Sequence, residues 1–390
     1  MEHSLEPSRP AAVPAARSSA PARQPDLRVR SLLAGLLAAA LLVLLIGLGS
    51  RGFHWFDAAL IGYLVGTIFA TAAVVYKYSF WLARPPTSRY WHRSWQLFLS
   101  FTNFRRYPGL IPRTLVVDLF TQQFIRHRSV YRWMMHQCLF WGVILSCCIT
   151  FPLTFGWLRF TQTSTGLYEM WFVGFPLFPF ASDSPLGILI IHGLDWTAFI
   201  LLIGLILAFH RRFHDLALIA VQRFRFDIMP LALLLAIVVT GLALTADNLW
   251  LSGAYYWYIS LTHEAVVVLW LISLPFGKFF HLIERPATLG IDLYRRTEAD
   301  IEMHHCPRCR QEVEPALFMH DLKHTLYEVG ENYALRPPAP ATSGGATSEA
   351  SAEARATNTL WWSDLCPQCK RVMKGQAHLA ALDPEGNRFL

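Results

Sequence analysis

Long apolar stretches alternate with polar, basic segments along the chain. A helix needs about 20 mostly apolar residues to cross a bilayer, and six stretches satisfy this requirement: 31–50, 56–82, 134–158, 187–209, 228–249 and 256–282. The pattern predicts an all-α fold, a six-transmembrane-helix bundle with a small cytoplasmic C-terminal domain. With 54% hydrophobic and only 16% charged residues, the composition excludes a secreted or purely cytosolic enzyme.

The polar segments divide the chain into five predicted regions. These are a disordered N-terminal arm (1–30), two additional transmembrane helices (31–82), a basic amphipathic cytoplasmic loop (83–132), a four-helix core (133–286) and a cytoplasmic tail (287–390). The arm is rich in Pro, Ala and Ser and lacks apolar periodicity, which is typical of disordered chain. Within the tail, residues 336–357 read as a low-complexity linker.

Basic residues are distributed very unequally between the two ends of the predicted spans. The arm, the 83–132 loop and residues 211–227 together contain 18 Lys and Arg, whereas the opposite loops contain only Arg51 and Arg159. Because positive charge accumulates on the cytoplasmic side, and an even number of spans puts both termini on one side, we predict that both termini are cytoplasmic. The net charge of +7 then reflects orientation, and we expect no nucleic-acid partner.

Two segments outside the spans are rich in aromatic residues. In the basic loop, Trp91, Trp95 and Phe98 recur at helical spacing, which predicts an amphipathic helix along the inner membrane surface; a docking surface for a soluble partner is compatible with the same pattern. On the opposite side, the aromatic residues of 161–186 indicate a lid at the outer interface.

Four histidines lie in or at the ends of the last four predicted helices. His136 and His281 lie near the cytoplasmic ends, and His192 and His263 near the external ends. His263 and His281 are 18 residues apart, five helical turns, so one straight helix would present both on one face about 27 Å apart. Ionisable residues are costly in a membrane and mark functional sites.

These histidines form two pairs of equal depth, His136 with His281 and His192 with His263. Neutral imidazoles from facing helices are typical axial ligands of haem, so the pattern predicts one or two haem b groups in the four-helix core. His210, which is 18 residues after His192, competes for the inner site, but its position beside Arg211 and Arg212 is that of a surface histidine.

The segments that carry these histidines resemble a known family. HEAVVVLWLISLPFGKFFHLIERP, which contains His263 and His281, is similar to the last helix of the haem b subunits typified by the gamma subunit of respiratory nitrate reductase. RWMMHQCLFWGVIL, around His136, resembles the opening helix of this unit as it occurs in heterodisulfide reductase cytochrome b, and DIMPLALLLAIVVTGLAL resembles the helix between them. The resemblance covers about 130–296.

The resemblance implies that His136 and His281 ligate one haem and that His263 provides one ligand to a second. The family has a second histidine ten residues after the first on the opening helix, where this chain has Ser146; His192 has the right depth to replace it. The family also implies a quinone or quinol, a cytoplasmic redox subunit of a respiratory complex and a bacterial cytoplasmic membrane. The chain is then an electron-transfer subunit of a quinol-dependent oxidoreductase rather than a complete enzyme.

Two carboxylates adjoin the external histidines. Glu264 follows His263, and Asp195 lies one helical turn after His192. A quinol that is oxidised near these positions must release protons, so both residues are candidate proton acceptors. Hydrogen bonding to the histidines explains their positions equally well.

The tail contains two Cys-Pro-x-Cys pairs, Cys306 with Cys309 and Cys366 with Cys369. Four thiolates from two such turns predict a tetrahedral site for structural Zn, or for rubredoxin-type Fe as an alternative, in a zinc-ribbon-like domain. The wide interval between the pairs contains the low-complexity linker, which can loop out.

Two other classes of function fit part of the sequence. Intramembrane histidines and carboxylates also form proton paths in transporters and channels. A membrane sensor or assembly factor would use the zinc tail and need the helices only as an anchor. Neither explains the equal-depth histidine pairs or the LPFGKFFH motif.

Overall fold

The computed structural model of the chain describes residues 24–85, 87–98, 105, 108–285, 287, 290, 302–331, 333–335 and 360–382. The chain separates into two compact units. The bundle unit comprises 29–81 and 98–293, and the C-terminal unit joins the described parts of 1–28, 82–97 and 294–390. The predicted linker, 336–357, lies outside the described residues.

Helices predominate in the described ranges. In chain order they are α1 (Gln24–Gly49), α2 (Ile61–Leu82), α3 (Thr87–Phe98), α4 (Val130–Thr154), α5 (Pro185–Ile191), α6 (Gly193–His214), α7 (Met229–Trp250), α8 (Tyr256–Ser273), α9 (Ala316–Glu328) and α10 (Pro367–Leu382), with short helical turns between them. The strands are β1 (Leu158–Gln162), β2 (Tyr168–Phe172), β3 (Phe175–Phe180), β4 (Met303–His305) and β5 (Glu312–Pro315).

Five helical segments of the described chain are long and apolar enough to cross a membrane. They are Asp26–Gly49, Ala58–Leu82, Val130–Thr154, Gly193–His214 and Phe224–Trp250. A sixth is obtained if Tyr256–Ser273 and Lys278–Arg285, which are bent by 69° to each other, form one broken span. The chain therefore has the helices of an integral membrane protein, and the predicted count of six is reached only if this bent pair is one span.

The last span is interrupted inside the LPFG sequence. Helix α8 ends at Ser273, and a single 3-10 turn, Lys278–Phe280, precedes His281. Pro275 has no backbone N–H, so it cannot donate the hydrogen bond that would continue the helix. The prediction that His263 and His281 share one face of a straight five-turn helix is therefore wrong.

Two predicted boundaries also shift. The span predicted at 187–209 divides at His192 into α5 and α6, because His192 leaves helical geometry (φ −92°, ψ 19°) before Gly193. Residues 24–30, which were predicted to belong to the disordered arm, are part of α1, and the rest of the predicted arm, 1–23, lies outside the described residues. Asp26 lies in the first turn of α1, where its negative charge interacts favourably with the helix dipole.

The aromatic segment that was predicted to form an outer lid contains a three-stranded antiparallel sheet in the order β1–β2–β3, so the all-α prediction was wrong here. Two glycine turns explain the sheet. Gly166 has a φ of +79° between β1 and β2, and Val173 and Gly174 both have positive φ in the two-residue turn between β2 and β3, as tight hairpins require. The sequence of β3, FPLFPF, lacks the alternation that would have revealed a strand.

Small residues allow the bundle helices to approach closely. A Cβ on Gly142 of α4 would lie 2.8 Å from the Cα of Leu201 in α6, and one on Gly204 of α6 would lie 2.8 Å from the backbone nitrogen of Leu139 in α4. Such close backbone packing replaces the hydrophobic effect as the source of helix association in a membrane. Leu205 of α6 and Leu271 of α8 are almost fully buried in the core.

In the C-terminal unit, α3 packs against α9. Arg93 Nε lies 3.0 Å from Asp321 Oδ2, and the Tyr90 ring stacks on Phe318 with centroids 5.6 Å apart. Burial and then the negative charge of Asp321 raise the pKa of Tyr90 to about 12. One face of the predicted amphipathic helix therefore contacts the tail, while 42% of Trp95 is exposed. Its position on the inner membrane surface stays a prediction.

Candidate functional site

A cavity of about 450 Å³ lies among α2, α4, α6, α7 and α8 of the bundle unit. Its wall is mainly apolar, as is usual for cofactor and ligand sites. The polar side chains on it are Tyr63, Thr67, Ser146, Thr150, Thr154, Asp195, Thr245 and His263. Of the predicted site residues, His263 and Asp195 therefore lie on one cavity.

His263 is held in a fixed orientation on this cavity. Its Nδ1 lies 2.8 Å from Thr240 Oγ1 in α7, and that hydroxyl also donates to the Ala236 carbonyl at 2.7 Å. Thr240 therefore accepts the Nδ1–H, and Nε2, which keeps its lone pair, has no hydrogen-bond partner among the described residues. A hydrogen bond from the far nitrogen is what usually orients a metal-ligating histidine.

His192 and Asp195 belong to a second hydrogen-bonded chain at the same end of the bundle. His192 Nδ1 lies 2.8 Å from Asp195 Oδ2, and Thr245 Oγ1 donates to the other carboxylate oxygen at 2.7 Å. Asp195 and Thr245 line the cavity, but His192 does not. The structure thus connects His192 to the cavity through Asp195, and its role as a haem ligand stays a prediction.

Ser146 occupies the position where the family resemblance expects a histidine. It lines the same cavity as His263, and its hydroxyl donates to Thr197 Oγ1 at 2.8 Å. Ser146 and His263 therefore line one cavity, and the serine hydroxyl is engaged with α6.

The two inner histidines are near each other. His281 and Arg285 lie within electrostatic reach of His136. The Nδ1 of His136 is buried and makes no hydrogen bond within the described part of the chain. His281 is exposed, and its Nδ1 contacts the carbonyl of Lys278.

His210, the competing candidate, has the surroundings of a surface residue. It is exposed, stacks on His214 with ring centroids 4.4 Å apart, and lies 3.3 Å from the hydroxyl of Tyr131. It does not line the cavity.

Glu264 points away from the cavity wall, against α2. Its carboxylate lies directly over Gly62, where any Cβ would overlap it, and it does not line the cavity. Of the two predicted proton acceptors, Asp195 therefore has direct access to the cavity and Glu264 does not.

Sequence reasoning missed several polar contacts that position these residues. Thr240 and Thr245 lie in an apolar helix, where threonine usually bonds only its own backbone. Lys77 of α2 donates to the Pro275 carbonyl at 2.7 Å and lies 4.0 Å above the Phe280 ring, at the break before His281. The sequence did contain one signal for the contacts of Lys77, because a lone lysine inside an apolar window marks a functional or structural contact.

The four cysteines of the C-terminal unit form one cluster. The Sγ atoms of Cys306, Cys309, Cys366 and Cys369 all lie within 4.8 Å of one another. Bonds of about 2.3 Å in a tetrahedral Zn–S₄ site require S–S separations of about 3.8 Å, and Cys309 and Cys366 are already 3.5 Å apart. The cluster could hold a metal ion, Zn or Fe.

Local structure explains how the cluster forms. The first pair lies in the turn between β4 and β5, where Arg310 has a φ of +62° and donates to the Cys306 carbonyl at 2.9 Å. The second pair lies at the N-terminus of α10, where free N–H groups favour a thiolate. The second pair therefore begins a helix instead of a second hairpin.

The thiols differ in acidity. Burial opposes ionisation of Cys306, but backbone N–H groups, those of Cys366 and Cys309 foremost, outweigh it and lower its pKa to about 6. The backbone N–H of Cys369 lowers the pKa of Cys366, whereas burial raises the pKa of Cys369 to about 12. A metal must therefore displace protons from part of the cluster as it binds.

A buried carboxylate adjoins the cluster. Asp364 accepts from the Trp361 backbone at 2.7 Å, and its other oxygen lies 2.9 Å from Lys323 Nζ and 3.3 Å from His304 Nε2. These contacts connect the hairpin, α9 and the second cysteine pair. His304 thus pairs with Asp364 and is not needed as a fifth ligand.

Comparison with protein-family models, with curated proteins and with solved structures finds no match to this chain.

Proposed function

We propose that the chain is a b-type cytochrome that transfers electrons between membrane quinone or quinol and a cytoplasmic redox subunit of a respiratory complex. The observation that carries this proposal is His263: an imidazole on an apolar cavity, fixed through Nδ1 by Thr240 and with Nε2 free. The proposal includes a bacterial cytoplasmic membrane with both termini in the cytoplasm, on the strength of the basic loops.

The donor set fits haem b. His263 has its far nitrogen engaged, and the buried Nδ1 of His136 has no partner within the described part, with His281 nearby. When bound, haem supplies reversible one-electron transfer. His136 and His281 would hold the inner group and His263 the outer one; His192 is the proposed second outer ligand in place of Ser146.

The other residues bind protons and exclude water. Asp195 is positioned to accept a proton from a quinol that binds beside the outer haem, because its carboxylate lies on the cavity wall and is oriented by His192 and Thr245. The mainly apolar wall keeps water out. Glu264, which lies against Gly62 and does not line the cavity, would accept a proton only after that proton has left the cavity.

The tail has a structural part in this proposal. Four thiolates match a closed structural Zn site, with rubredoxin-type Fe as the alternative. The unit would then present a fixed surface to the redox subunit.

A reduced-minus-oxidised visible spectrum with a haem count on the purified full chain tests the proposal. We expect one or two b-type haems. His136→Ala and His281→Ala should remove the same component, and His263→Ala a different one if two are present. The matched control is His210→Ala, a histidine at a helix end that does not line the cavity, which should change neither component.

The result that would overturn the proposal is a folded chain without haem after expression with ample haem supply. A proton-coupled transporter would then be the better interpretation if transport activity is lost in Asp195→Asn. Retention of function after loss of all four histidines would favour the sensor or assembly factor.

A further inference from the structure

Two arginines at the external ends of the spans stack on a single tryptophan. The guanidinium carbon of Arg51 lies 4.7 Å from the Trp55 ring centroid, and that of Arg159 lies 4.1 Å from it. Arg159 also lies 4.6 Å from the Trp171 ring of β2. These are the arginines that the charge count found in the external loops, and the fold brings both to one place.

The backbone is shaped around this tryptophan. Arg51 and Phe53 have φ values of +52° and +66°, conformations that cost free energy in residues other than glycine and persist only when their surroundings fix them. A Cβ added to Gly156 would lie 2.6 Å from the Trp55 carbonyl oxygen. A Cβ added to Gly174 would lie 3.4 Å from the Trp55 ring. Two glycines with positive φ therefore make room for Trp55, Gly156 for its backbone and Gly174 for its ring.

Neither of the two positive charges is neutralised by direct contact with a carboxylate within the described part of the chain. Both guanidinium carbons lie within 4.7 Å of one centroid, so they are less than about 9 Å apart and repel each other. Neither arginine forms an ion pair with a described carboxylate, and the Nε of Arg159 is buried without a hydrogen-bond partner. Arg51 is exposed, so an anion can reach the pair.

We propose that Arg51, Trp55 and Arg159 form a binding site for a phosphate-class oxyanion. Guanidinium forks match phosphate oxygens bidentately, and stacking on an aromatic ring preorients them. Arg51 follows the end of α1 by two residues, and Arg159 lies in the strand that follows α4. This is the depth of lipid headgroups, so the oxyanion comes from a phospholipid or from free phosphate. The site does not rest on the proposed electron transfer.

The test uses the full chain, purified and delipidated in detergent. Native mass spectrometry measures binding of phosphatidylglycerol against uncharged diacylglycerol, and thermal unfolding measures stabilisation by inorganic phosphate against chloride at equal ionic strength. For the double variant Arg51→Gln, Arg159→Gln, we expect phosphatidylglycerol to bind at least about tenfold more weakly, since charged hydrogen bonds are lost. Each single variant should lose less.

The matched control is Arg126→Gln, because Arg126 also stacks on a tryptophan, Trp133, at 5.4 Å but lies in the basic loop with no second arginine on that ring. It should bind as the parent does.

Stabilisation by phosphate without lipid binding would assign the site to the free anion, and lipid binding alone to the headgroup. If the double variant does not fold, Arg51→Gln alone gives the test at an exposed side chain. Unchanged binding in the variants, or no binding by the parent, would overturn the proposal.

Discussion

The bundle unit and the C-terminal unit bury opposite kinds of residue. In the bundle, leucines such as Leu205 are buried, yet 71% of Leu37 and 72% of Trp257 remain exposed on the outside. In the C-terminal unit, the fully buried side chains include not only Trp361 but also the cysteines Cys306 and Cys366 and charged residues such as Asp321, which is 1% exposed. One unit is apolar on its exterior, and the other is polar at its centre.

The difference follows from the solvent of each unit. Lipid accepts apolar side chains, so the bundle associates through close backbone contacts and a few interhelical hydrogen bonds. The C-terminal unit has a small apolar core around Leu365, too little for a domain of its size to fold by burial alone. We therefore expect a metal bound by the four cysteines, together with ion pairs, to supply much of its stability. The two units should therefore respond to different perturbations.

Metal removal should have the largest effect, confined to the C-terminal unit. Chelation, or Cys366→Ser, should abolish metal binding. The C-terminal unit should then lose the folding free energy that is coupled to metal binding, which is of the order of 10 kcal/mol. Elemental analysis and hydrogen exchange of α9 and α10 measure the result. Cys148→Ser, an exposed cysteine of α4, is the control and should retain the metal. Full protection of α10 in the metal-free chain would contradict the prediction.

Loss of the buried ion pair between α3 and α9 should come next. Arg93→Gln leaves the carboxylate of Asp321 without its 3.0 Å contact to Nε and should destabilise the C-terminal unit by about 3 kcal/mol. This is the low end for a buried pair, because the Arg93 side chain is partly exposed. Hydrogen exchange of Ala316–Glu328 is the measurement, and exchange as slow as in the parent would show that α9 does not depend on this pair.

Close packing of α4 on α6 should matter only to the bundle. Gly142→Ala places a methyl group against the backbone of Leu201 and should destabilise the bundle by about 2 kcal/mol. The measurement is thermal unfolding in detergent. Gly109→Ala, at a glycine with nothing within 4 Å of the added Cβ, is the matched control. Equal melting temperatures for the two variants would argue against small-residue packing.

The exposed ion pair of the C-terminal unit should have the smallest effect. Arg89 Nη2 lies 2.5 Å from Glu328 Oε1, but the side chains are 24% and 37% exposed. Glu328→Gln should therefore change stability by less than about 1 kcal/mol. High salt should reproduce this change in the parent. A loss as large as that of Arg93→Gln would remove the distinction between buried and exposed pairs.

Sequence patterns predicted the features that depend on composition or close spacing. Apolar windows gave the spans, because bilayer thickness sets their length, and the paired Cys-Pro-x-Cys motifs identified the four-cysteine cluster. Hydropathy averages did not reveal the break at Pro275 inside an apolar window. The pairing of Arg93 with Asp321 joins segments 228 residues apart, and nothing local to either residue indicates it.

The histidine site was predictable only in part. The resemblance implied that position 146 and His263 belong to one site, and both line one cavity. Thr240 could not be found from the sequence, because a threonine in an apolar helix normally satisfies its hydroxyl within the helix, as Thr240 also does with Ala236. Its contact with His263 depends on how α7 and α8 pack.

The contact of Lys77 with the broken last helix has a consequence for how the chain could be shortened. Residues 130–285 contain the four histidines that are proposed as haem ligands, and most of the segment that resembles the family lies in this range. A truncated chain without α1 and α2 would nevertheless expose the Pro275 carbonyl to lipid, where an unpaired backbone group costs several kcal/mol. The first two helices are thus not a detachable module, and a minimal version of this protein must begin before Lys77.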